Sequence, residues 1–130
     1  MKCIVVFFLC ATLATIASGE EMYSDQYDSV DIDEILNSDR LLSNYFNCLK
    51  TGQKCTPDGQ KLREILPDAL RTKCQKCSEA QNKLSKKVIS FLVNNKKEMF
   101  LELEIIFDPE HKYRESYAEE LKKDGIVLPN

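Results

Sequence analysis

The stretch Ser78–Asn94, SEAQNKLSKKVISFLVN, decides the fold. Ala80, Leu84, Val88 and Leu92 recur every fourth residue, and Ile89 and Phe91 widen the same face. That spacing places the apolar side chains on one broad side of a helix. The β-branched alternation that would mark strands is scarce throughout the chain.

The same period extends in both directions. Ile32, Ile35 and Leu36 suggest a short first helix, broken at Asn37-Ser38. Ser38 can cap a second helix with Leu41, Leu42, Tyr45, Phe46 and Leu49 on one stripe, ended by Gly52. Thr56-Pro57 reads as an N-cap followed by Pro at the first helical position. Leu62, Ile65, Leu66 and Leu70 then form a stripe that Pro67 should interrupt. Beyond Asn94, Phe100, Leu103, Ile106 and Phe107 form a fifth segment, stopped by Asp108-Pro109. Tyr113, Tyr117 and Leu121 form a sixth, with Lys122 and Lys123 suited to its negative end and Gly125 just past it. The expected class is all-α, with about six short helices.

Residues 1–19 read as a removable secretion signal. Lys2 begins it, an apolar run from Cys3 to Ile16 follows, and Ala17 and Gly19 place cleavage after Gly19. The run is short for a membrane span, which needs about 20 apolar residues. Residues 20–130 are then one secreted domain, with Glu20–Asp28 as a loose polar arm. The net charge of −3 over the whole chain argues weakly against nucleic acid or an anionic membrane as partner.

Cys3 and Cys10 leave with the signal, and Cys48, Cys55, Cys74 and Cys77 remain, spaced C-x6-C-x18-C-x2-C. In a secreted domain, disulfides between sequence neighbours are the natural pairing. The x2 pair could instead supply zinc ligands or a redox couple, but the x6 spacing and the missing βαβ pattern favour neither.

Catalytic chemistry has little to stand on. His111 is the only histidine and sits in a polar run. No G-x-S-x-G turn, Gly-rich phosphate loop or histidine pair is present. Asp31, Asp33, Glu34, Glu102 and Glu104 read as wet helix faces rather than a paired-carboxylate site. Lys86, Lys87, Lys96 and Lys97 read as a solvated face, or as a patch for acidic partners. Periodicity alone favours a filled core over a ligand cavity, although the apolar faces are broad for helices this short.

Several blocks together resemble the insect chemosensory proteins, the olfactory-segment-D-like family. They are Tyr27–Leu36, Arg40–Cys48, Cys55-Thr56-Pro57-Asp58-Gly59, Leu66–Leu70, Phe107-Asp108-Pro109 with Lys112-Tyr113-Arg114, and Gly125-Ile126-Val127. The cysteine spacing also matches, and the resemblance runs from Tyr23 to Pro129.

It implies helices around an apolar channel, disulfides Cys48–Cys55 and Cys74–Cys77, no enzymatic activity, no cofactor and no metal. It also implies a secreted carrier of small hydrophobic ligands such as fatty acids, long-chain alcohols and pheromone-like esters. Such a carrier would be monomeric, make no stable membrane insertion, and have a receptor as a further possible partner. Tyr27 and Tyr45 correspond to aromatic lining positions, and Leu62, Ile65, Gln81 and Val88 to wall positions. The lining expected from the neighbouring stripes adds Ile32, Ile35, Leu42, Phe46, Leu49, Leu66 and Leu84. Phe100 stands where many relatives carry tryptophan, and Phe107 where tyrosine is usual. The competing reading is a secreted developmental or cuticle-associated factor in which ligand binding is secondary.

Overall fold

The computed structural model describes residues 22–24 and 30–130. The segment read as a signal and the candidate lining residue Tyr27 lie outside the described residues. Six helices form among the described residues: α1 Ile32–Leu36, α2 Asp39–Thr51, α3 Pro57–Arg71, α4 Glu79–Asn95, α5 Lys97–Phe107 and α6 Lys112–Lys123. No strand occurs among the described residues, so the all-α expectation holds.

The helix starts are set by short polar side chains that satisfy free backbone N–H groups. Ser38 Oγ accepts from Leu41 N–H at 3.2 Å, and Thr56 Oγ1 accepts from Gly59 N–H at 3.2 Å. Ser78 and Gln81 form a reciprocal capping box at α4, with bonds of 3.1 and 3.0 Å. Gly52 ends α2 at φ 78°, a left-handed conformation that glycine adopts without Cβ strain. Pro67 forfeits one backbone donor but does not end α3, which continues to Arg71. Only Lys96 separates α4 from α5.

α2 packs against α1, α3 and α5, and α4 packs against α1 and α5. α3 and α4, although consecutive, do not pack closely along one another. Two small clusters of buried apolar residues hold the bundle. Leu36, Leu42 and Leu92 form the first, with Ile32, Val88, Phe91, Met99, Phe100 and Leu103 against them. Val93, Leu121 and Ile126 form the second, flanked by Ile89, Phe100, Tyr117 and Leu128. Phe100 touches both clusters and joins them. Ile106, expected to face inward with Phe100 and Leu103, is instead exposed on α5 together with Ile105.

The two disulfides are Cys48–Cys55 and Cys74–Cys77, with Cα atoms 4.9 and 5.0 Å apart. They close small loops at the two ends of α3 and, on a chain-entropy estimate, contribute about 2 kcal/mol each. The second loop is tight. Lys73 and Cys74 both have positive φ, at 57° and 61°, and Cys74 N–H donates to the Ala69 carbonyl at 2.8 Å.

α6 crosses this end of α3. The Tyr117 hydroxyl donates to the Leu70 carbonyl, in the last turn of α3 where carbonyls lack helical partners. Burial pushes the Tyr117 phenol up to about 12, so it remains a donor at any ordinary pH. Tyr117→Phe should therefore cost about 1 kcal/mol, the net worth of one such bond. Urea unfolding would report it as a lower midpoint at unchanged slope.

Candidate functional site

α3 is amphipathic, yet the only residue it buries fully is Gly59, near its start. Its apolar stripe lies outside both buried clusters. Leu62 is 40% exposed, and Ile65, Leu66, Ala69 and Leu70 are half-buried. Phe46 and Leu49 of α2 and Leu84 of α4 are half-buried as well. A close-packed core would cover such side chains. On α3 they form an apolar stripe that the protein's own helices leave incompletely covered.

Polar and covalent contacts hold α3 at its ends. At the N-terminal end, Cys48–Cys55 ties it to α2. There the Tyr45 hydroxyl donates to Asp58 Oδ2 at 2.5 Å, and Arg63 Nε donates to the Leu49 carbonyl at 3.2 Å. Gly59 fits a tight corner: a Cβ on it would stand 3.2 Å from both Cys48 Sγ and Thr56 Oγ1. Burial opposes charge on Asp58, but hydrogen bonds from Thr56, Tyr45 and Gly59 outweigh it and hold the carboxyl below its ordinary value. Burial, followed by that carboxylate, raises the Tyr45 phenol.

At the C-terminal end, Asp68 is the hub. It accepts the Tyr23 hydroxyl at 2.7 Å and pairs with Arg71 and with Lys76, the latter at 3.3 Å. The Tyr23 bond is the foremost cause of its lowered pKa, with Lys76 and Arg71 adding to it. Tyr23 is thus anchored; the rest of the arm read as loose, apart from Met22 and Ser24, lies outside the described residues.

The lining residues expected from the sequence divide into three groups. Ile35 and Leu42 are buried. Ile32, Val88 and Phe100 pack half-buried against the Leu36–Leu42–Leu92 cluster. Leu62, Ile65, Leu66, Phe46, Leu49 and Leu84 stay partly open. The two polar candidates have structural partners. The Tyr45 hydroxyl is bonded to Asp58, and Gln81 caps α4 and donates through Nε2 to the Ser24 carbonyl at 3.0 Å.

Glu104 departs from the wet-face reading. Its side chain is only 7% exposed and is paired through both oxygens with Arg114, at 2.5 and 2.9 Å. Arg114 is the main cause of its lowered pKa, against burial, and His111 contributes at 3.3 Å. Asp108 is buried and accepts the N–H groups of Tyr113 and Arg114, so it caps α6 from outside the helix. Glu104, Asp108 and His111 bring ligand-type atoms within 4.8 Å of one another. Arg114 and the start of α6 already engage the two carboxylates, so the cluster reads as a lock between α5 and α6. His111 is exposed, in keeping with its polar run.

Two clefts on the outside are polar and stand apart from the α3 stripe. One, of about 280 Å³, is lined by Asn44, Asn47, Thr51, Gln53 and Lys54; the other, of about 190 Å³, surrounds Phe107–Tyr113. No described helix is long and apolar enough to cross a membrane.

The fold and its half-covered apolar wall define a helical binding protein, and comparison with known proteins places it. Residues 23–115 match the insect pheromone-binding family, A10/OS-D. Ejaculatory bulb-specific protein 3 of Drosophila melanogaster is 44% identical over 113 residues, 87% of this chain and 90% of that protein. A chemosensory protein solved in complex with bromo-dodecanol superposes with a TM-score of 0.70 at 41% identity, over 75% of this chain and 98% of that one. The antennal chemosensory protein A6 of the moth Mamestra brassicae gives a TM-score of 0.65 at 40% identity, over 78% and 99%. The chain belongs to the A10/OS-D family of insect chemosensory and pheromone-binding proteins.

Asp58, Asp68 and Glu104 set an acid limit on the fold. Each has a folded pKa below its ordinary value, 3.8 for Asp and 4.5 for Glu. Groups shifted down stabilise the protein above the ordinary value and lose that effect as pH falls through the folded one. Urea midpoints should therefore be flat from pH 7 to about 5 and decline below it. Asp58→Asn should flatten part of that decline.

Proposed function

We propose that this protein is a secreted, soluble carrier of small hydrophobic molecules such as fatty acids, long-chain alcohols and pheromone-like esters. The observation that carries the reading is the α3 stripe: an amphipathic helix fixed at both ends whose apolar middle the bundle leaves part-exposed. The relative solved with bromo-dodecanol supports an alkyl chain as the guest. Leu62, Ile65 and Leu66 on one side, with Leu84 and Val88 on the other, would form the walls of an apolar channel. Phe46, Leu49 and Phe100 would close it, and Tyr27 would add a further lining ring. Removal of residues 1–19 would deliver the mature carrier as a monomer outside the cell.

Burying about 12 methylenes of a C16 chain gives roughly 10 kcal/mol at 0.8 kcal/mol each. Association costs about 4 kcal/mol or more, and ordering the chain costs more again. The remainder corresponds to micromolar or weaker binding, which suits loading and release. Selectivity should be broad, since apolar burial has no direction. Head-group recognition would be weak, because Tyr45 and Gln81 already bond to the protein.

Catalysis forms no part of this reading. The rival cationic docking patch is weakened by pairing: Lys86 with Asp124, Lys87 with Asp33 and Lys96 with Asp39.

Lipid extraction of the natively purified protein tests the proposal. A carrier yields a stoichiometric apolar compound; an empty protein that also refuses hexadecanol and palmitate overturns it. Ile65→Ser should weaken binding of an apolar fluorescent probe about ten-fold, the effect of losing roughly two buried methylenes. Helix content should be unchanged, because Ile65 belongs to neither buried cluster.

A further inference from the structure

α3 and α4 are joined through the disulfide loop between Arg71 and Glu79 and do not pack closely along their lengths. Across that corner lies a short piece of the N-terminal arm. Tyr23 N–H donates to the Lys76 carbonyl of the loop at 2.9 Å. The Tyr23 hydroxyl donates to Asp68 in the last turn of α3 at 2.7 Å. Gln81, in the first turn of α4, donates to the Ser24 carbonyl at 3.0 Å. Two adjacent residues thus bond to α3, the loop and α4.

We infer that Tyr23-Ser24 is a clasp over the α3–α4 corner, and that its release limits the rate at which apolar ligands enter and leave between these helices. The inference rests on the carrier reading. The clasp is polar and lies near the surface, so it can open without disturbing either apolar cluster. The corner beneath it can flex, because α3 and α4 do not pack closely there; α6 holds this end of α3 through the Tyr117–Leu70 hydrogen bond. The other end of α3 cannot follow, since Cys48–Cys55 binds it covalently to α2. Opening would therefore swing the C-terminal half of α3, where Ile65, Leu66 and Leu70 sit, and leave the N-terminal half in place.

Two substitutions each remove one side-chain bond of the clasp and leave the Tyr23 N–H to Lys76 bond in place. Tyr23→Phe deletes the hydroxyl on Asp68. Gln81→Glu deletes the amide donor to Ser24 and keeps an oxygen to accept from Ser78 N–H, so the α4 cap survives. Stopped-flow uptake of N-phenyl-1-naphthylamine, and its displacement by hexadecanol, reads both rates. Each substitution should speed association and dissociation together by about five-fold, and the pair by about twenty-five-fold. The equilibrium affinity of Tyr23→Phe should stay within about two-fold, since the clasp closes over free and loaded protein alike. Circular dichroism checks that the variants fold.

Wild-type rates in the folded double variant, with saturable binding intact, overturn the clasp and leave the carrier reading standing. Faster dissociation at unchanged association, with affinity falling in proportion, also overturns it and makes the arm part of the binding wall. A wild-type protein that takes up no probe, hexadecanol or palmitate overturns the carrier reading and the clasp with it.

Discussion

α3 packs against α2 yet leaves its apolar stripe only part-covered, and the rest of the molecule is arranged around that constraint. An amphipathic helix in water ordinarily gains its stability by burying its stripe against neighbours. α3 cannot do so fully, since it buries only Gly59. Its position comes from α2 and from ties at its two ends. Cys48–Cys55, Tyr45–Asp58 and Arg63–Leu49 hold one end; Tyr117–Leu70, Tyr23–Asp68 and the Cys74–Cys77 loop hold the other. Hydrogen bonds and disulfides suit this task because they fix position without covering apolar surface. Apolar packing alone would position α3 only by closing the surface that a guest needs.

The disulfides are consistent with that division of labour. Each joins near neighbours in sequence and so ties no distant elements together. Their value lies in location, one at each end of α3. The remaining helices use the usual means. Phe100 bridges the two buried clusters, and the Glu104–Arg114 pair with the Asp108 cap fixes α6 to the end of α5. That pair is nearly removed from water, so its worth is mainly geometric: an uncompensated charge in either partner would be costly, which discourages other arrangements.

The helices were legible in the sequence because their signals are local. Ser38, Thr56-Pro57 and Ser78 lie within a turn of the N–H groups they satisfy, and Gly52 marks a left-handed exit. The neighbour disulfides were legible for the same reason. Long-range polar partners were not. Tyr23 and Asp68 lie 45 residues apart, and Tyr117 and Leu70 lie 47 apart. No periodicity links them. Glu104 looked wet because it sits between apolar residues in a run without clear polarity; only the approach of Arg114 makes its burial tolerable. Ile106 was misplaced by the same run, since apolar residues there occupy more than one side of α5. For the candidate lining, the sequence marked α3's apolar positions correctly as apolar. It could not distinguish a stripe that is packed from one that is left open, since both obey the same period.

That distinction depends on what surrounds α3, and the deciding feature is the missing closeness between α3 and α4. Two consecutive amphipathic helices joined by a tight loop would normally fold back and seal their stripes against each other. Here the loop takes a left-handed course at Lys73 and Cys74, and α6 and the Tyr23 arm occupy the corner with polar bonds. α4 spends its apolar side on α1 and α5 instead. α3 keeps α2 as its neighbour and a stripe that no helix covers fully. A flexible alkyl chain can supply the missing contacts in many registers, because dispersion and dehydration ask for area rather than direction. The same looseness that costs the empty protein packing energy would let one wall accept guests of different lengths.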